Sequence, residues 1–333
     1  MTPDPASPRI LFSSTLFTPF IEEDELILTR HYRVEKLIAS GARALLALPA
    51  AVRRADVTFS WFGSVYAGYT VLLARLMGKK TAVVVAGVDA SKDPEINYGI
   101  FLNPWKAPIV RYAYRHADKV LVVDPFLQKE VIRLAEYDGA NIVNIPFGFD
   151  DTRWHPGTAK EPLVLTVAAC HDEDRMRKKG LDKLFEAARA LPDVQFCIIG
   201  IHERLIPVVA PRVPSNVKLI AYVPRDGLLP YLQKAKVYCQ PSFTEGLPNA
   251  LCEAMLCACI PVGTIAGGIP TAIGDAGSLV RFGDVPALVR ALRRALDAPA
   301  VEGDRARARI SETFTLSRRE EALQGVLDAL AAR

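Results

Sequence analysis

The sequence predicts an α/β chain made of two doubly wound domains in succession. Three observations carry this reading. The chain has 333 residues, short apolar runs alternate with helical patterns along both halves, and a Pro/Gly-punctuated stretch lies near the middle. At about 100–200 residues per domain, the length suits two domains. Half of the residues are hydrophobic and 23% are charged, which allows a core in each half and does not resemble a disordered chain.

In the first half, Arg9–Ser13, Val57–Trp61, Thr81–Ala86 and Lys119–Val123 read as buried strands. Helical patterns fall between them at Asp24–Ile38, Val65–Leu76, Trp105–Ala117 and Pro125–Glu136. The second half repeats the theme. Its strand candidates are Leu163–Ala168, Gln195–Gly200, Val217–Ile220, Val237–Gln240, Ile260–Gly263 and Gly277–Val280. Its helices are expected at Leu181–Ala190, Gly227–Lys234, Asn249–Leu256 and Pro286–Asp297, with a last amphipathic helix over Leu316–Ala331. Strands alternating with helices predict parallel sheets covered on both faces. Pro146, Gly148, Pro156, Gly157 and Pro162 punctuate the boundary. The expected division is 1–148, 149–315 and a terminal helical segment 316–333, expected to pack back on the first domain. Ligands of such sheets bind outside the carboxyl ends of the strands, which points to a cleft between the domains.

The net charge of +4, from 41 basic and 37 acidic side chains, is too small to imply nucleic acid. Cys170, Cys197, Cys239, Cys252, Cys257 and Cys259 mostly sit in apolar runs and lack zinc-like spacing. They read as buried small side chains in a reducing, cytoplasmic compartment. Met1 to Pro8 shows no basic-then-apolar leader, and no apolar run reaches the ~20 residues of a bilayer span. Peripheral contact with the inner face of a membrane stays open, as does oligomeric state.

Several signatures are missing. No Gly-x-Gly-x-x-Gly follows an early strand, and no Gly-x-Ser-x-Gly elbow occurs. Gly78-Lys79-Lys80-Thr81 resembles the end of a phosphate-binding loop, but the first glycine would fall on Leu73 within a helix. Asp172-Glu173-Asp174 has a metal-diphosphate spacing, yet it stands in a charged loop, His171 to Lys179, and reads better as a solvated turn. His116 reads as a helix end, His31, His155 and His202 as surface or loop residues, and His171 as a possible neighbour of the cationic loop. Trp61-Phe62 and Trp105 read as core or cleft wall.

The informative segment runs from Gln240 to Met255. A strand ends at Gln240, a turn with Gly246 and Pro248 follows, and a helix starts near Asn249. The N–H groups and positive dipole end of that helix suit a diphosphate. Glu245 and Glu253 flank it, and carboxylates accept hydrogen bonds from the hydroxyl pairs of a sugar and a ribose. Upstream, the run Arg175-Met176-Arg177-Lys178-Lys179-Gly180 places four cations between a strand and the helix opening at Leu181. A solvated loop is one reading; beside the helix start, diphosphate neutralisation is the better one. Such groups would also stabilise a departing nucleoside diphosphate.

These residues resemble family 4 of the retaining glycosyltransferases. The Glu245…Glu253 pair matches that family's Glu-x7-Glu signature, and Glu253 to Val262 and Ala266-Gly267-Gly268-Ile269-Pro270 match its continuation. Asn216–Leu219, Tyr222-Val223-Pro224 and Ile145–Asp150 resemble further landmarks. The resemblance covers the C-terminal half and the linker. It implies a GT-B fold of two Rossmann-like domains and transfer of a hexose-type sugar, with retention, from a nucleoside-diphosphate sugar to a hydroxyl acceptor. The acceptor would be a glycan, a lipid-linked sugar or a small molecule, as in cell-envelope or polysaccharide biosynthesis.

The resemblance also implies roles. Glu245 contacts the transferred sugar and Glu253 the ribose. Lys179, with Arg175 or Arg177, holds the diphosphate, and main chain near Tyr222 and Val223 meets the base. Gly246, Leu247, Pro248 and Asn249 complete the donor site, with no metal or other cofactor. The leaving diphosphate would take the acceptor proton. In the N-terminal half, Val85–Asp89 and Pro94–Gly99 look like a subgroup pattern on the acceptor side, with Asp89, Asn97 and Tyr98 as candidates. Asn97-Tyr98 reads equally as a structural turn. Where many relatives carry a His, this chain has Gly87, which shifts attention to Asp89 as a catalytic group beside Glu245 and Lys179. Thr15–Phe20 replaces the usual glycine-rich loop, Ala169-Cys170 the usual Gly-Arg, and Thr271 the usual acid. An epimerase or phosphorylase on the same fold, and a silent sugar-nucleotide-binding subunit, are the alternatives.

Overall fold

The computed structural model describes Asp4 and residues 6–332, organised as two compact units. Met1–Pro3 and Pro5 of the predicted N-terminal stretch, and Arg333 of the terminal segment, lie outside the described residues. One unit comprises Met1–Phe147 with Ser317–Arg333, the other Gly148–Leu316.

The first unit begins β1 (Arg9–Ser14), α1 (Pro19–His31), β2 (Arg33–Ile38), α2 (Gly41–Arg54), β3 (Val57–Trp61), α3 (Val65–Leu76) and β4 (Lys80–Val85). After three single-turn 3-10 segments come α4 (Lys106–His116), β5 (Lys119–Val122), α5 (Pro125–Ala135) and β6 (Ile142–Asn144). The strands form one parallel sheet in the order β2-β1-β3-β4-β5-β6. From β1 the chain winds outward to β2, then returns to β3 and winds the other way. The β1/β3 junction is therefore the switch point, where such sheets open a crevice at their carboxyl ends. The five residues of β3 are all buried, as an inner strand covered on both faces requires.

The second unit runs β7 (Glu161–Cys170), α6 (Glu173–Lys178), α7 (Leu181–Arg189), β8 (Gln195–Ile201), α8 (Ile206–Val209), β9 (Val217–Ile220), α9 (Leu229–Lys234) and β10 (Ala235–Gln240). It continues with α10 (Asn249–Leu256), β11 (Ile260–Thr264), α11 (Ile269–Ile273), β12 (Ser278–Val280), α12 (Val285–Asp297) and α13 (Val301–Thr313). Its sheet is also parallel, ordered β12-β11-β10-β7-β8-β9, so its switch point lies between β7 and β10. A last helix, α14 (Leu316–Ala331), lies in the first unit from Ser317 onward. The two doubly wound sheets make this a GT-B-type α/β architecture.

Local chemistry explains many helix starts. Ser64 accepts from the N–H of Ala67 at 3.1 Å, Asp124 from Phe126 at 2.7 Å, and Asp284 from Ala287 at 2.9 Å. Pro125 and Pro286 stand in the first turns, where a missing N–H costs nothing.

The structure corrects the sequence reading in several places. The pattern over Asp24–Ile38 is not one helix: α1 ends at His31, Tyr32 is extended, and Arg33–Ile38 pairs with β1 as an edge strand. Arg33, Glu35 and Lys36 mask its β pattern, as charges on an edge strand do. Helices α2, α8, α11 and α13 and strand β6 were not predicted. The supposed loop at His171–Lys179 contains α6, capped by Asp172, whose carboxylate accepts from the Arg175 N–H at 2.7 Å. Gly78, with φ at +66°, ends the turn after α3, so the phosphate-loop resemblance is a helix terminus. Trp61 is core, but Trp105 stands 57% exposed at the start of α4. The six cysteines are all buried free thiols, and burial pushes Cys170 and Cys197 up to about 11.

In the first unit, one buried ion pair ties α14 to α1. Arg319 donates to both oxygens of Asp24, at 2.6 and 2.7 Å, and to the carbonyls of Ile145 and Pro146 at 2.9 and 2.8 Å. Its guanidinium also lies 5.0 Å from the Phe147 ring centre. Removing one member of a buried pair strands the other. Arg319→Met is expected to destabilise the chain by about 3–5 kcal/mol, whereas Asp24→Leu/Arg319→Met recovers much of that loss. Denaturant unfolding of both variants checks this.

Candidate functional site

In the second unit, β7 and β10 end side by side at the switch point, and the segments that follow them supply the charges. After β7, α6 delivers Lys178 and Lys179. After β10, the turn Pro241–Pro248 delivers Glu245 and leads into α10. The Lys179 Nζ donates to Glu245 Oε1 at 2.7 Å, and the Lys178 Nζ lies 3.8 Å from Oε2. Ser242 Oγ donates to the same Oε1 at 2.8 Å, and Gln240 Nε2 at 3.1 Å. Gln240 is itself held by the Tyr238 hydroxyl at 3.3 Å, and Tyr238 accepts from the Val167 N–H at 3.2 Å. A chain of hydrogen bonds thus fixes the carboxylate from the centre of the sheet outward.

Burial pushes the Glu245 carboxyl up, but the ammonium groups of Lys179 and Lys178, with hydrogen bonds from Lys179 and Ser242, outweigh it and hold the group at about 2. Glu245 is therefore a permanent anion facing two cations. Lys178 is 95% buried by the complement of its 5% exposure, and is the strongest clue that this cluster is built.

Two glycines let the segments approach. Gly180 has φ at +66°, and a Cβ there would lie 1.9 Å from the Pro241 carbonyl oxygen. Gly267 has φ at +54°, and its Cβ would lie 2.0 Å from the Glu245 carbonyl oxygen. The Gly268 N–H donates to that carbonyl at 3.2 Å, bracing the turn from behind.

Helix α10 begins at Asn249, with Pro248 as its N-cap, so its first-turn N–H groups open toward the turn that carries Glu245. One turn in, Glu253 is buried and takes two contacts on Oε1 from Arg225, at 2.8 Å from Nε and 2.7 Å from Nη2. Arg225 also lies 5.7 Å from the Trp154 ring centre. Tyr222, three residues before it, is 72% exposed. Val223 and Pro224 lead into the short 3-10 turn at Arg225–Leu228.

The cationic run divides. Lys178 and Lys179 join Glu245. Arg177 instead pairs with Asp174 and lines a separate groove with Asp182, Glu186 and Arg212, so it leaves the predicted diphosphate group. The helical turn that points Lys178 inward points Arg177 out. Arg175 is half-buried on the same short helix. His171 faces His202, ring centres 5.9 Å apart. Asp172, Glu173 and Asp174 are each engaged, with the α6 cap, Arg212 and Arg177.

The first unit holds a second constellation. Asp89 is 1% exposed, and its carboxylate accepts from the N–H groups of Gly63 at 2.9 Å, Gly87 at 2.9 Å and Ala86 at 3.2 Å. The Tyr114 hydroxyl donates to its carbonyl at 2.8 Å. Burial pushes the carboxyl up, and the three N–H donors oppose that. Asp89 is a buried strut joining the ends of β3 and β4. Phe62, just before Gly63, has φ at +65°, strain of the kind that concentrates at working sites. Asn97 takes a left-handed conformation in a tight turn closed by Asp93 and Tyr98, whose backbones exchange hydrogen bonds at 2.8 and 3.0 Å. Asn97-Tyr98 thus forms a tight turn. At the β1/β3 switch point a small recess is lined by serines and threonines, Ser60, Ser64 and Thr70 among them, together with apolar side chains such as Leu37, Leu48 and Trp61. The Thr70 hydroxyl there is buried and has no hydrogen-bond partner among the described residues.

Sequence reasoning missed Lys178, Arg225 and the Ser242–Gln240 relay. The two lysines look alike in sequence, and Arg225 is separated from Glu253 by α9, β10 and the turn before α10.

The family model described as Glycosyl transferases group 1 matches residues 161–298. The chain is 28% identical over 306 residues to the putative colanic acid biosynthesis glycosyltransferase WcaL of Escherichia coli, covering 83% of this chain and 71% of that one. It is 28% identical over 244 residues to the alpha-maltose-1-phosphate synthase of Mycolicibacterium smegmatis, covering 62% of each chain. The chain thus spans somewhat under two thirds of the second relative's length. In structure it is similar to HepE of Anabaena in complex with UDP-glucose, with a TM-score of 0.79 at 15% identity, covering 97% of this chain and 100% of that one.

The cluster makes two predictions. Gly267→Ala is expected to cost about 1–3 kcal/mol, because the Cβ strikes backbone in a strained conformation. Gly283→Ala shares a positive φ of +83° but meets nothing within 4 Å, so it costs less in the same thermal unfolding assay. The Glu245 group, lowered from 4.5 to about 2 on folding, contributes stability that is complete above the higher value and lost as pH falls toward the lower. Glu245→Gln is expected to flatten the loss of stability across that window, measured by denaturation at several pH values.

Proposed function

We propose that this chain, whose residues 161–298 match the family model Glycosyl transferases group 1 and whose two sheets have a GT-B-type architecture, is a retaining hexosyltransferase using a nucleoside-diphosphate sugar. The single observation that carries this reading is the ionic cluster of Lys178, Lys179 and Glu245 at the β7/β10 switch point, beside the N-terminus of α10. Two buried or half-buried cations and a helix N-terminus suit a diphosphate. A carboxylate locked in its ionised state suits the hydroxyls of a sugar. Glu253, oriented by Arg225, suits the ribose diol one helical turn away. Tyr222 and Val223 lie on the loop that would meet the base. The solved complex of HepE with UDP-glucose supports a nucleotide-sugar donor.

In this reading the acceptor hydroxyl attacks the anomeric carbon on the face the diphosphate leaves. The carbon–oxygen bond to phosphate breaks, and a freed phosphate oxygen takes the acceptor proton. Lys178, Lys179 and the α10 N–H groups stabilise the charge that develops there. Position 87 is glycine and the Asp89 carboxylate is taken by backbone N–H groups, which favours the leaving group as the base. Charge neutralisation by side chains assigns no part to a metal or other cofactor. The acceptor in this reading is a hydroxyl compound, whether a glycan, a lipid-linked sugar or a small alcohol.

Lys179→Ala is expected to weaken nucleoside-diphosphate binding by about 1.5–3 kcal/mol in calorimetry. Glu245→Gln is expected to lower turnover more than nucleotide affinity. NMR of the product from a matched donor and acceptor, with EDTA present, should show the donor's anomeric configuration retained. Inversion, dependence on added metal, or donor that binds and is never consumed would each contradict the reading.

A further inference from the structure

We propose that Glu245 also acts as the chain's own stand-in for phosphate: it engages Lys178 and Lys179 as an anion and biases the site against free nucleoside diphosphate relative to its sugar ester. The inference rests on the donor reading above and adds to it how the site tells donor from product. The geometry sets up a competition. Lys179 Nζ donates to Glu245 Oε1 at 2.7 Å, and Lys178 Nζ stands 3.8 Å from Oε2. A diphosphate must share these two cations with a carboxylate that already holds both.

Glu245 is not built to step aside. Ser242 Oγ and Gln240 Nε2 both donate to Oε1, and the Glu245 carbonyl accepts from the Gly268 N–H at 3.2 Å. Its side chain is 10% exposed and that of Lys178 6%. Lys179 is the member that can turn, since its side chain is 20% exposed and its ammonium sits on a flexible four-carbon stem. Donor binding is then an exchange of partners. Lys179 leaves Oε1 for a phosphate oxygen, and Oε1 accepts a hydroxyl of the sugar in its place.

Charge separates donor from product. The terminal phosphate of a free nucleoside diphosphate carries about two negative charges near neutral pH, because its second pKa is about 6. In the sugar ester that oxygen is blocked and a single charge remains. Lysines and helix N–H groups alone would therefore hold the product more tightly than the donor. The Glu245 carboxylate works against that preference in two ways. It repels the additional phosphate charge, and with no sugar beside it Oε1 has given up Lys179 without gaining a hydroxyl. Both effects vanish in a neutral amide.

Calorimetry on the full chain tests this. The probes are the nucleoside diphosphate among UDP, GDP, ADP, CDP and dTDP that most raises the wild-type Tm, and the hexose ester of it that does the same. Glu245→Gln should bind the free nucleotide about tenfold more tightly than wild type, and the ratio of the two dissociation constants should move toward the free nucleotide by at least that factor. Glu245→Asp keeps the charge and should bind the free nucleotide no more tightly than wild type. Unchanged or weakened binding of free nucleotide by Glu245→Gln overturns the proposal, as does a gain that Glu245→Asp shares. Lys179→Ala separates the two claims. If it weakens both ligands while Glu245→Gln gains nothing, the donor site stands and the stand-in role fails. If neither ligand depends on Lys179, or no nucleotide raises the Tm, the donor reading fails and the proposal with it. Because Glu245→Gln strands two largely buried cations, the comparison is repeated in a Lys178→Met background, where Glu245→Gln should give a gain in the same direction.

Discussion

Everything proposed for the second unit depends on one buried carboxylate, Glu245, meeting two lysines at the point where the sheet changes winding direction. Taking Glu245 and Lys178 out of water is costly, and the cost is offset only because each oxygen of Glu245 has a cation and Oε1 has further donors in Ser242 and Gln240. That requirement fixes the surroundings. It needs Gly180 and Gly267 so that α6 and the β11–α11 turn can approach the backbone around Glu245. It needs Thr264, whose hydroxyl donates to the Ser242 carbonyl, and it needs the Phe243 N–H on the Lys178 carbonyl at 2.7 Å. The turn before α10 is held from three sides, which is what a rigid anion site requires.

The first unit solves a similar problem with a different hub. Asp89 gathers the backbone at the carboxyl ends of β3 and β4, and Tyr114 closes it from α4. Gly63 fits only because it lacks a Cβ, which would fall 1.9 Å from the Tyr114 hydroxyl. In both units a buried carboxylate stiffens the loops at the sheet's carboxyl edge. In the second unit its partners are side-chain cations, so the charge can engage a ligand. In the first its partners are backbone N–H groups, so the charge is spent on structure.

The fold class was legible because inner parallel strands are continuous apolar runs, and Val57–Trp61, Gln195–Gly200 and Val237–Gln240 read as such. The edge strand Arg33–Ile38 was not, because its charges imitate the end of a helix. The helix start at Asn249 was readable from Gly246, Pro248 and Asn249, and α10 begins there. What composition could not separate was Lys178 from its neighbours, since only burial distinguishes four consecutive-looking cations. Arg225 was invisible for another reason: nothing local announces a guanidinium whose partner, Glu253, is 28 residues on. The sequence offers Asp89 as a candidate catalytic group but does not show the backbone N–H groups of Gly63, Ala86 and Gly87 that hold its carboxylate.

The central claim is that the Lys178–Lys179–Glu245 cluster and the start of α10 form a nucleoside-diphosphate-sugar site. The most direct measurement is thermal unfolding of the full chain with UDP, GDP, ADP, CMP and dTDP, each with and without its common sugar esters. The account predicts stabilisation by one nucleoside-diphosphate class, about 2.7 kcal/mol at a hundredfold excess over its dissociation constant. It also predicts that Lys179→Ala removes most of that shift. Stabilisation by none of them, or a shift that Lys179→Ala leaves intact, would contradict it.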